Sequence, residues 1–210
     1  MSATPATNLK ATCKEQETRK TNKETMQPKS TTTIRPRTPT DLRSTATLLA
    51  KVHARDSYPV QGVQHAEAFL SSPSTLCAWV AVRSCGEIIG HVALSSPSPS
   101  DPAVALWKAQ NRSEPIAVLE RLFVDPSARG EGLAGRLMGV AVAEAGHRGL
   151  KAVLFALVKD QAAMRLYVRE GWEEFGRSMY GYEGGDGMRT RMEAVCFVAP
   201  LGSQVGPEVR

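Results

Sequence analysis

The sequence predicts an α/β protein with one mixed β-sheet flanked by helices, and three observations lead to this prediction. Two β-rich runs, 76–82 and 87–94, are joined by a short turn and are typical of an antiparallel hairpin. A second pair of such runs, 172–183 and 189–200, flanks a Gly-Gly-Asp-Gly segment. Between the two hairpins, strand and helix patterns alternate. This order differs from the repeating strand–helix units of a doubly wound parallel sheet.

Length and composition predict the domain boundaries. The 210 residues are enough for one ordinary domain with a hydrophobic core. Residues 1–31 hold six basic residues against three glutamates and hardly any large apolar side chain, so we expect a disordered basic tail. We expect the folded domain over residues 32–200 and a flexible C-terminus over residues 201–210.

Composition also argues against several classes of protein. Part of the net charge of +5 lies in the N-terminal tail, so we expect no nucleic-acid partner. No apolar run reaches the roughly 20 residues of a membrane span, and the N-terminus lacks the features of a secretory signal or a mitochondrial presequence. No cysteine or histidine spacing suits a metal site. We therefore expect a cytoplasmic protein with no metal and no membrane partner, a nuclear location remaining open.

The N-terminal half is predicted to contain a short strand, two helices and the first hairpin. Residues 31–38 favour a strand closed by prolines, and residues 41–58 place apolar side chains at helical spacing after Asp41, a natural N-cap. A shorter helix is predicted over 64–72. The Pro- and Ser-rich segment 95–115, which follows the hairpin, predicts a loop with one short turn of helix.

The C-terminal half is predicted to alternate strands and helices before the closing hairpin. Residues 116–126 form a strand stopped by a proline, and residues 133–149 form a helix. Residues 151–158 are continuously apolar, which is typical of a strand buried on both faces. Residues 160–171 predict a further helix with Asp160 at its N-cap.

A G-x-G-x-x-G motif lies between the strand 116–126 and the helix 133–149, at Gly130, Gly132 and Gly135. This motif is the fingerprint of Rossmann-type NAD-binding proteins, in which the glycines directly follow the strand and an acidic residue stands ~20 residues further on. Here residues 125–129 intervene, and Asp160 lies 30 residues after the first glycine. A Rossmann-type NAD-binding protein therefore stays only as an alternative.

The same loop has the features of a more general pyrophosphate site. Glycines bring bare backbone amides close to a ligand, and the amides at a helix N-terminus lack intrahelical partners and attract anions. Arg129 adds a permanent positive charge suited to a phosphate. We therefore favour a cradle for a pyrophosphate.

Two separated motifs resemble the GNAT superfamily of N-acetyltransferases over about residues 32–198. V-D-P-S-A-R-G-E-G-L-A-G resembles the acyl-CoA signature of that family, matched by Val124, Pro126, Arg129, Gly132 and Ala134. The second motif, L-Y-x-x-x-G-W, is matched by Leu166, Tyr167, Gly171 and Trp172. The resemblance implies a twisted, mostly antiparallel sheet, flanked by helices and splayed at the acyl-CoA site.

The resemblance also implies how acetyl-CoA is bound. The backbone of the strand before the loop would pair with the pantetheine arm like an added strand, and the loop amides would hold the pyrophosphate. Asp160 departs from the family, because many members carry an Asn there that contacts the cofactor. The implied cofactor-binding residues are Leu122, Phe123, Val124, Arg129, Gly130, Glu131, Gly132, Leu133, Ala134, Gly135 and Asp160.

The resemblance further implies direct attack of an amine on the acetyl thioester, with one acid and one base. Tyr167 matches the family's usual acid, a phenol beside the sulfur, although an aromatic that only packs beneath the sheet is the alternative. Glu120 is the candidate base, since its period-2 neighbours are apolar, although a solvated strand glutamate is the alternative. His91 and His53 are weaker candidates for the base.

The acceptor is expected to be a small-molecule amine rather than a protein. Its site is placed by analogy with the family at Tyr58, Gln61, Gln64 and His65. A homodimer is one assembly that the resemblance allows. A non-catalytic regulator that binds acyl-CoA with the same fold is the alternative outside the enzymes.

Overall fold

The computed structural model describes residues 31–184 and 187–200, and the predictions for the basic tail and for residues 201–210 lie outside these ranges apart from residue 31. Within them the chain forms one seven-stranded sheet in the order β1-β2-β3-β4-β5-β7-β6. Among the described strands, β4 and β5 form the one parallel pair, and every other neighbouring pair is antiparallel. The strands are β1 Thr32–Pro36, β2 Thr75–Arg83, β3 Ile88–Ser95, β4 Ile116–Val124, β5 Lys151–Leu157, β6 Glu173–Glu183 and β7 Arg189–Val198.

Five α-helices join these strands within the described residues: α1 Leu42–Asp56, α2 Ala66–Leu70, α3 Pro102–Ala109, α4 Leu133–His147 and α5 Gln161–Arg169. The predicted mixed, mostly antiparallel sheet and both predicted hairpins, β2–β3 and β6–β7, are confirmed. Because only one pair of strands is parallel, the sheet excludes a Rossmann-type doubly wound fold.

Segment 95–115 contains more helix than the sequence predicted. Eight residues form α3, because Asp101 caps its first turn by accepting hydrogen bonds from two backbone amides and Pro102 occupies the first helical position. Trp107 of this helix is 1% exposed and meets the ring of Phe175 edge-on. Burial of this aromatic pair stabilises a helix that the Pro- and Ser-rich composition concealed.

Asp41 lies at the N-cap position of α1, but its carboxylate does not cap that helix. It accepts hydrogen bonds from the guanidinium of Arg35 at 2.7 and 2.8 Å and from the amide of Thr38 at 2.7 Å. The predicted capping bond is therefore wrong, because a stronger, charge-assisted partner lies on the preceding strand.

The helices cover the two faces of the sheet unequally. α4 packs on one face, where Leu119 and Leu154 belong to its core cluster. The neighbouring Val118 and Val153 belong to the cluster around α3, on the opposite face, because successive side chains of a strand alternate. α1 and α2 cover the other end of that opposite face, through a third cluster that includes Phe123.

The two central strands separate towards their C-terminal ends. β4 pairs with β5 only through residues 116–118 and 151–153, although both strands continue further. On its other side, β4 stays paired with β3 as far as Val124. A stretch of β4 backbone is therefore open on the side that faces β5, among the described residues, which is the splay that the resemblance implied.

Candidate active site

A cleft of about 930 Å³ opens where β4 and β5 separate. The structure brings most of the predicted site to its wall, including the end of β4, the glycine loop and α5. Of the predicted cofactor-binding residues and the favoured acid and base, Glu120 and Glu131 do not line this cleft. The predicted residues that do line it are Leu122, Phe123, Val124, Arg129, Gly130, Gly132, Leu133, Ala134, Gly135, Asp160 and Tyr167.

The buried carboxylate of Asp125 anchors the start of the glycine loop. Asp125 accepts hydrogen bonds from the amide and hydroxyl of Ser127 at 2.8 and 2.7 Å and from the ammonium of Lys51 on α1 at 2.7 Å. Burial by itself would raise the pKa of Asp125, but these partners outweigh it and lower that pKa to about 2. The loop is thus anchored to α1 by an ionised group.

The loop then turns through two glycines with left-handed backbone angles. Gly130 has φ +86° and Gly132 has φ +71°, and an added Cβ would meet nothing within 4 Å at either position. Backbone conformation, not space, therefore requires glycine here. Gly132 is the N-cap of α4 and offers no side chain to cap it. The first amides of this 15-residue helix are left to bind an anion.

Arg129 and Gly135 have partners that the sequence did not predict. The guanidinium of Arg129 forms an ion pair with Asp56, the last residue of α1. The carboxylate of Glu170 lies against Gly135, because a Cβ at that glycine would be 2.7 Å from its Oε2 atom. Both acids come from distant parts of the chain, so no local pattern indicates them.

Tyr167 packs in the core, as one interpretation of the sequence expected, and it also lies at the cleft, as an acid would. Its ring is 8% exposed and packs against Phe197 and Trp172, with centroid distances of 5.6 and 6.2 Å. The residue also lines the cleft. Burial raises the pKa of its phenol, and the charge of Asp160 raises it further, so the hydroxyl carries its proton at neutral pH. Asp160 itself is paired with Lys159 at 2.8 Å and makes no capping bond to α5.

A β-bulge in β4 changes which neighbouring side chains lie on the same face of the sheet as Glu120. Arg121 has φ +55°, and the β3–β4 register shifts beside it. Glu120 therefore lies on the α3 side with Val118, whereas Leu122 packs with the α4 cluster. The prediction that Leu122 flanks Glu120 on one apolar face is wrong, because the bulge interrupts the alternation. Within the described residues, Glu120 accepts a hydrogen bond from the Ser95 hydroxyl and forms an ion pair with Arg121, whose Nη1 lies 2.6 Å from Glu120 Oε1.

His91 is excluded as a general base. It is 0% exposed, and its Nδ1 lies 2.9 Å from the carbonyl oxygen of Arg121. Burial lowers its pKa to about 3, so the imidazole is neutral and has no path to a substrate. His53 does not line the cleft either, and its Nδ1 is buried without a hydrogen-bond partner among the described residues.

Two of the predicted acceptor residues, Tyr58 and Gln61, lie at the cleft and against β6, respectively. Tyr58 lines the cleft, and the amide of Gln61 donates a hydrogen bond to the hydroxyl of Tyr180 at 3.1 Å. Burial raises the pKa of Tyr58 and of Tyr180, and the nearby charge of Glu120 adds to both rises. Of the predicted acceptor residues, Gln64 and His65 are exposed and stand outside the cleft lining.

Two further properties concern what the described residues could bind. In residues 31–184 and 187–200, no three His, Cys, Asp or Glu side chains are grouped as a metal site requires. None of the helices described is both long enough and apolar enough to cross a membrane.

Fold and site together define a class of protein: a mixed α/β domain whose separated central strands lead into a glycine-rich loop at the start of a helix. The sequence profile of the acetyltransferase (GNAT) family matches residues 43–172. The chain belongs to this family, so the predicted resemblance is confirmed. GNAT acetyltransferases use acetyl-CoA as the acyl donor, and membership supports acetyltransferase activity that depends on acyl-CoA.

Solved structures show the same fold at low sequence identity. NAA60 from Arabidopsis thaliana, in complex with acetyl-CoA, is 20% identical with a TM-score of 0.60, covering 80% of this chain and 97% of its own. The ribosomal-protein-S18-alanine N-acetyltransferase from Escherichia coli is 19% identical with a TM-score of 0.57, and the match covers 86% of this chain and 99% of that enzyme. Nourseothricin acetyltransferase is 20% identical with a TM-score of 0.56, and the match covers 81% of this chain and 99% of that enzyme. No curated protein sequence matches the chain significantly.

Proposed function

We propose that this protein is an N-acetyltransferase that transfers the acetyl group of acetyl-CoA directly to the amine of a small molecule. The observation that carries the proposal is the cleft between β4 and β5, because it joins an open strand edge, an anion cradle and a protonated phenol. Each of these three parts matches one part of the donor: the amide-rich pantetheine arm, the pyrophosphate and the thioester sulfur.

The binding proposal rests on backbone groups. Among the described residues, the β4 backbone at residues 122–124 has no β5 partner, so the amides and carbonyls that point away from β3 are free to pair with the pantetheine arm as a strand would. The amides at the start of α4 would hold the pyrophosphate. Arg129 would contribute once its guanidinium leaves Asp56 for a phosphate oxygen.

The chemistry requires two proton movements around one substitution. The amine nitrogen attacks the thioester carbonyl, a C–N bond forms, the C–S bond breaks and the sulfur leaves with the bonding pair. Glu120 would take the proton that the amine loses, directly or through water. Tyr167 would donate its phenolic proton to the departing sulfur, which suits a hydroxyl that stays protonated at neutral pH.

The proposal of a small acceptor is supported by a contact between the α1–α2 connection and β6. The acceptor would approach from the α3 side of the sheet, since Glu120 lies there while the glycine loop leads into α4. The Gln61–Tyr180 hydrogen bond joins the α1–α2 connection to β6 across that side. Such a bridge would narrow the approach of the acceptor and so favour a slender amine. Among the structural neighbours, the Escherichia coli enzyme is named for a protein acceptor, so peptides are included in the test.

The test is in two stages. Thermal unfolding with acetyl-CoA, CoA or NADH should show stabilisation by the first two only, amounting to roughly 2.7 kcal/mol at 100 times the dissociation constant. Release of CoA thiol is then measured with amino acids, polyamines, drug-like amines and N-terminal peptides. Turnover with small amines supports the proposal, and turnover with peptides alone contradicts the small acceptor. Tight CoA binding without turnover on any amine would make the protein the non-catalytic regulator.

A further inference from the structure

Behind the cleft, the buried His91 contacts the β4 bulge, and the half-buried Arg37 contacts His91. His91 lies on β3, is fully buried, and stacks on the ring of Phe123 with centroids 5.1 Å apart. Arg37, which follows β1, places Nη1 3.4 Å from His91 Nε2 and 2.8 Å from the carbonyl of Leu70. Neither residue lines the cleft or takes part in the proposed chemistry.

The partners of His91 define its tautomer. A carbonyl oxygen only accepts hydrogen bonds, so Nδ1, which lies 2.9 Å from the oxygen of Arg121, carries the proton. A guanidinium only donates, so Nε2 accepts from Arg37. The low pKa of His91 agrees with a neutral ring between the positive charges of Arg37 and Arg121. Arg37 thus keeps the donor on the nitrogen that faces the bulge.

The bulge is where the backbone needs such support. A non-glycine residue with φ +55° costs energy that the surroundings must offset. The carbonyl of Arg121 and the ring of Phe123 are held by the same imidazole, on either side of Leu122. This arrangement determines the direction in which β4 leaves the bulge, and hence the edge that it presents to the cleft.

We infer that Arg37 and His91 are positioning residues for the acyl donor: they hold the Arg121 bulge so that the backbone of residues 122–124 faces the pantetheine arm. The inference rests on the proposed function, because it takes the open edge of β4 as the donor site. It assigns to a buried histidine a role in binding that requires neither protonation nor contact with the substrate.

The test compares three variants by isothermal titration with CoA and by thermal unfolding. His91→Leu keeps the size of the side chain but leaves the Arg121 carbonyl without a donor, and CoA should bind roughly tenfold more weakly. His91→Asn restores a donor near the Nδ1 position and should recover most of that affinity. Val80→Ala is the matched control, since Val80 is 0% exposed and pairs opposite His91 on β2, a strand that is not a neighbour of β4 in the sheet. It should lower the unfolding temperature and leave CoA affinity unchanged.

Hydrogen exchange of the amides of residues 122–124 tests the positioning without a ligand. Exchange should accelerate in His91→Leu and stay at the wild-type rate in Val80→Ala. If His91→Leu does not fold, Arg37→Gln takes its place, with a smaller loss of affinity in the same direction.

The inference is overturned if the histidine variant retains wild-type CoA affinity and exchange, if Val80→Ala loses as much, or if His91→Asn recovers nothing. A wild-type protein that does not bind CoA refutes the proposed function instead. The exchange measurement then still decides whether His91 holds the bulge.

Discussion

The ion pair between Asp56 and Arg129 should weaken CoA binding in the wild-type protein. Arg129 is the loop cation best placed for a phosphate, yet its guanidinium is paired with the carboxylate at the end of α1. CoA must therefore displace Asp56 before it gains Arg129. We predict that Asp56→Asn binds CoA more tightly than wild type, although the substitution removes an ion pair from the folded protein.

The structure limits the size of this gain. The side chains of Arg129 and Asp56 are 41% and 33% exposed, and ion pairs of such exposure contribute about 0.2–1 kcal/mol. Releasing that energy on binding corresponds to at most roughly a fivefold lower Kd. Folding stability should hardly change, because an acidic side chain at a helix C-terminus is itself unfavourable and because Lys51 still ties α1 to Asp125.

The assay is isothermal titration with CoA at low and at high ionic strength. The gain should shrink in salt, since the screening length falls from about 10 Å at 0.1 M to about 3 Å at 1 M. Glu144→Gln is the matched control, because Glu144 and Arg148 form a pair of similar exposure, 32% and 40%, at the C-terminal end of α4 and outside the cleft lining. The reasoning is refuted if Asp56→Asn binds CoA more weakly, or if the control gains as much.

Three further substitutions give distinct results. Tyr167→Phe should lower kcat by roughly 10²–10⁴ and leave the Kd of CoA unchanged; a wild-type kcat would remove the phenol from the mechanism. Burial raises the pKa of Asp101 to about 6 from 3.8, so the folded state holds that proton more tightly and the wild type loses stability as pH rises from 4 to 6. Asp101→Asn should therefore stabilise the protein above pH 6 by roughly 1–3 kcal/mol and should not stabilise it below pH 4. Equal unfolding temperatures of the wild type and the variant at both pH values would contradict this prediction. Gly90→Ala would place a Cβ 2.9 Å from Leu137 Cδ1, so it should lower the free energy of unfolding, measured with denaturant, by about 1–3 kcal/mol. Gly139→Ala is the control and should not destabilise the protein, because a Cβ there meets nothing within 4 Å. Equal effects of the two substitutions would count against the packing argument.

The hairpins, the long helices and the glycine loop were predictable because their signals are local. An amphipathic repeat, a turn between two β-rich runs and glycines before a helix each act within a few residues of the chain. The two motifs that resemble the GNAT family also lie in such segments, so residues 122–124 and the loop could be proposed as the donor site before any contact was known. α3 was underestimated because Trp107 packs on Phe175, which lies far away in the sequence.

The bulge at Arg121 was not predictable from local sequence. Arginine has no preference for a positive φ, and the alternation of apolar residues in β4 gives no sign of a break. The carbonyl of Arg121 meets Nδ1 of His91, a residue of β3 that the sequence suggested only as a weak candidate for a base. The face that Leu122 occupies relative to Glu120 was therefore not predictable from the alternation of residues in β4.

The sequence by itself determined the order of the elements, the fold class and the family, since these depend on residues that are close along the chain. Tertiary structure alone decided the partner of Arg129, the face of Glu120 and the meeting of Gln61 with Tyr180. Each of these contacts joins segments that are distant in sequence. Side-chain chemistry tells which groups are able to pair, but only the packed sheet decides which of them meet.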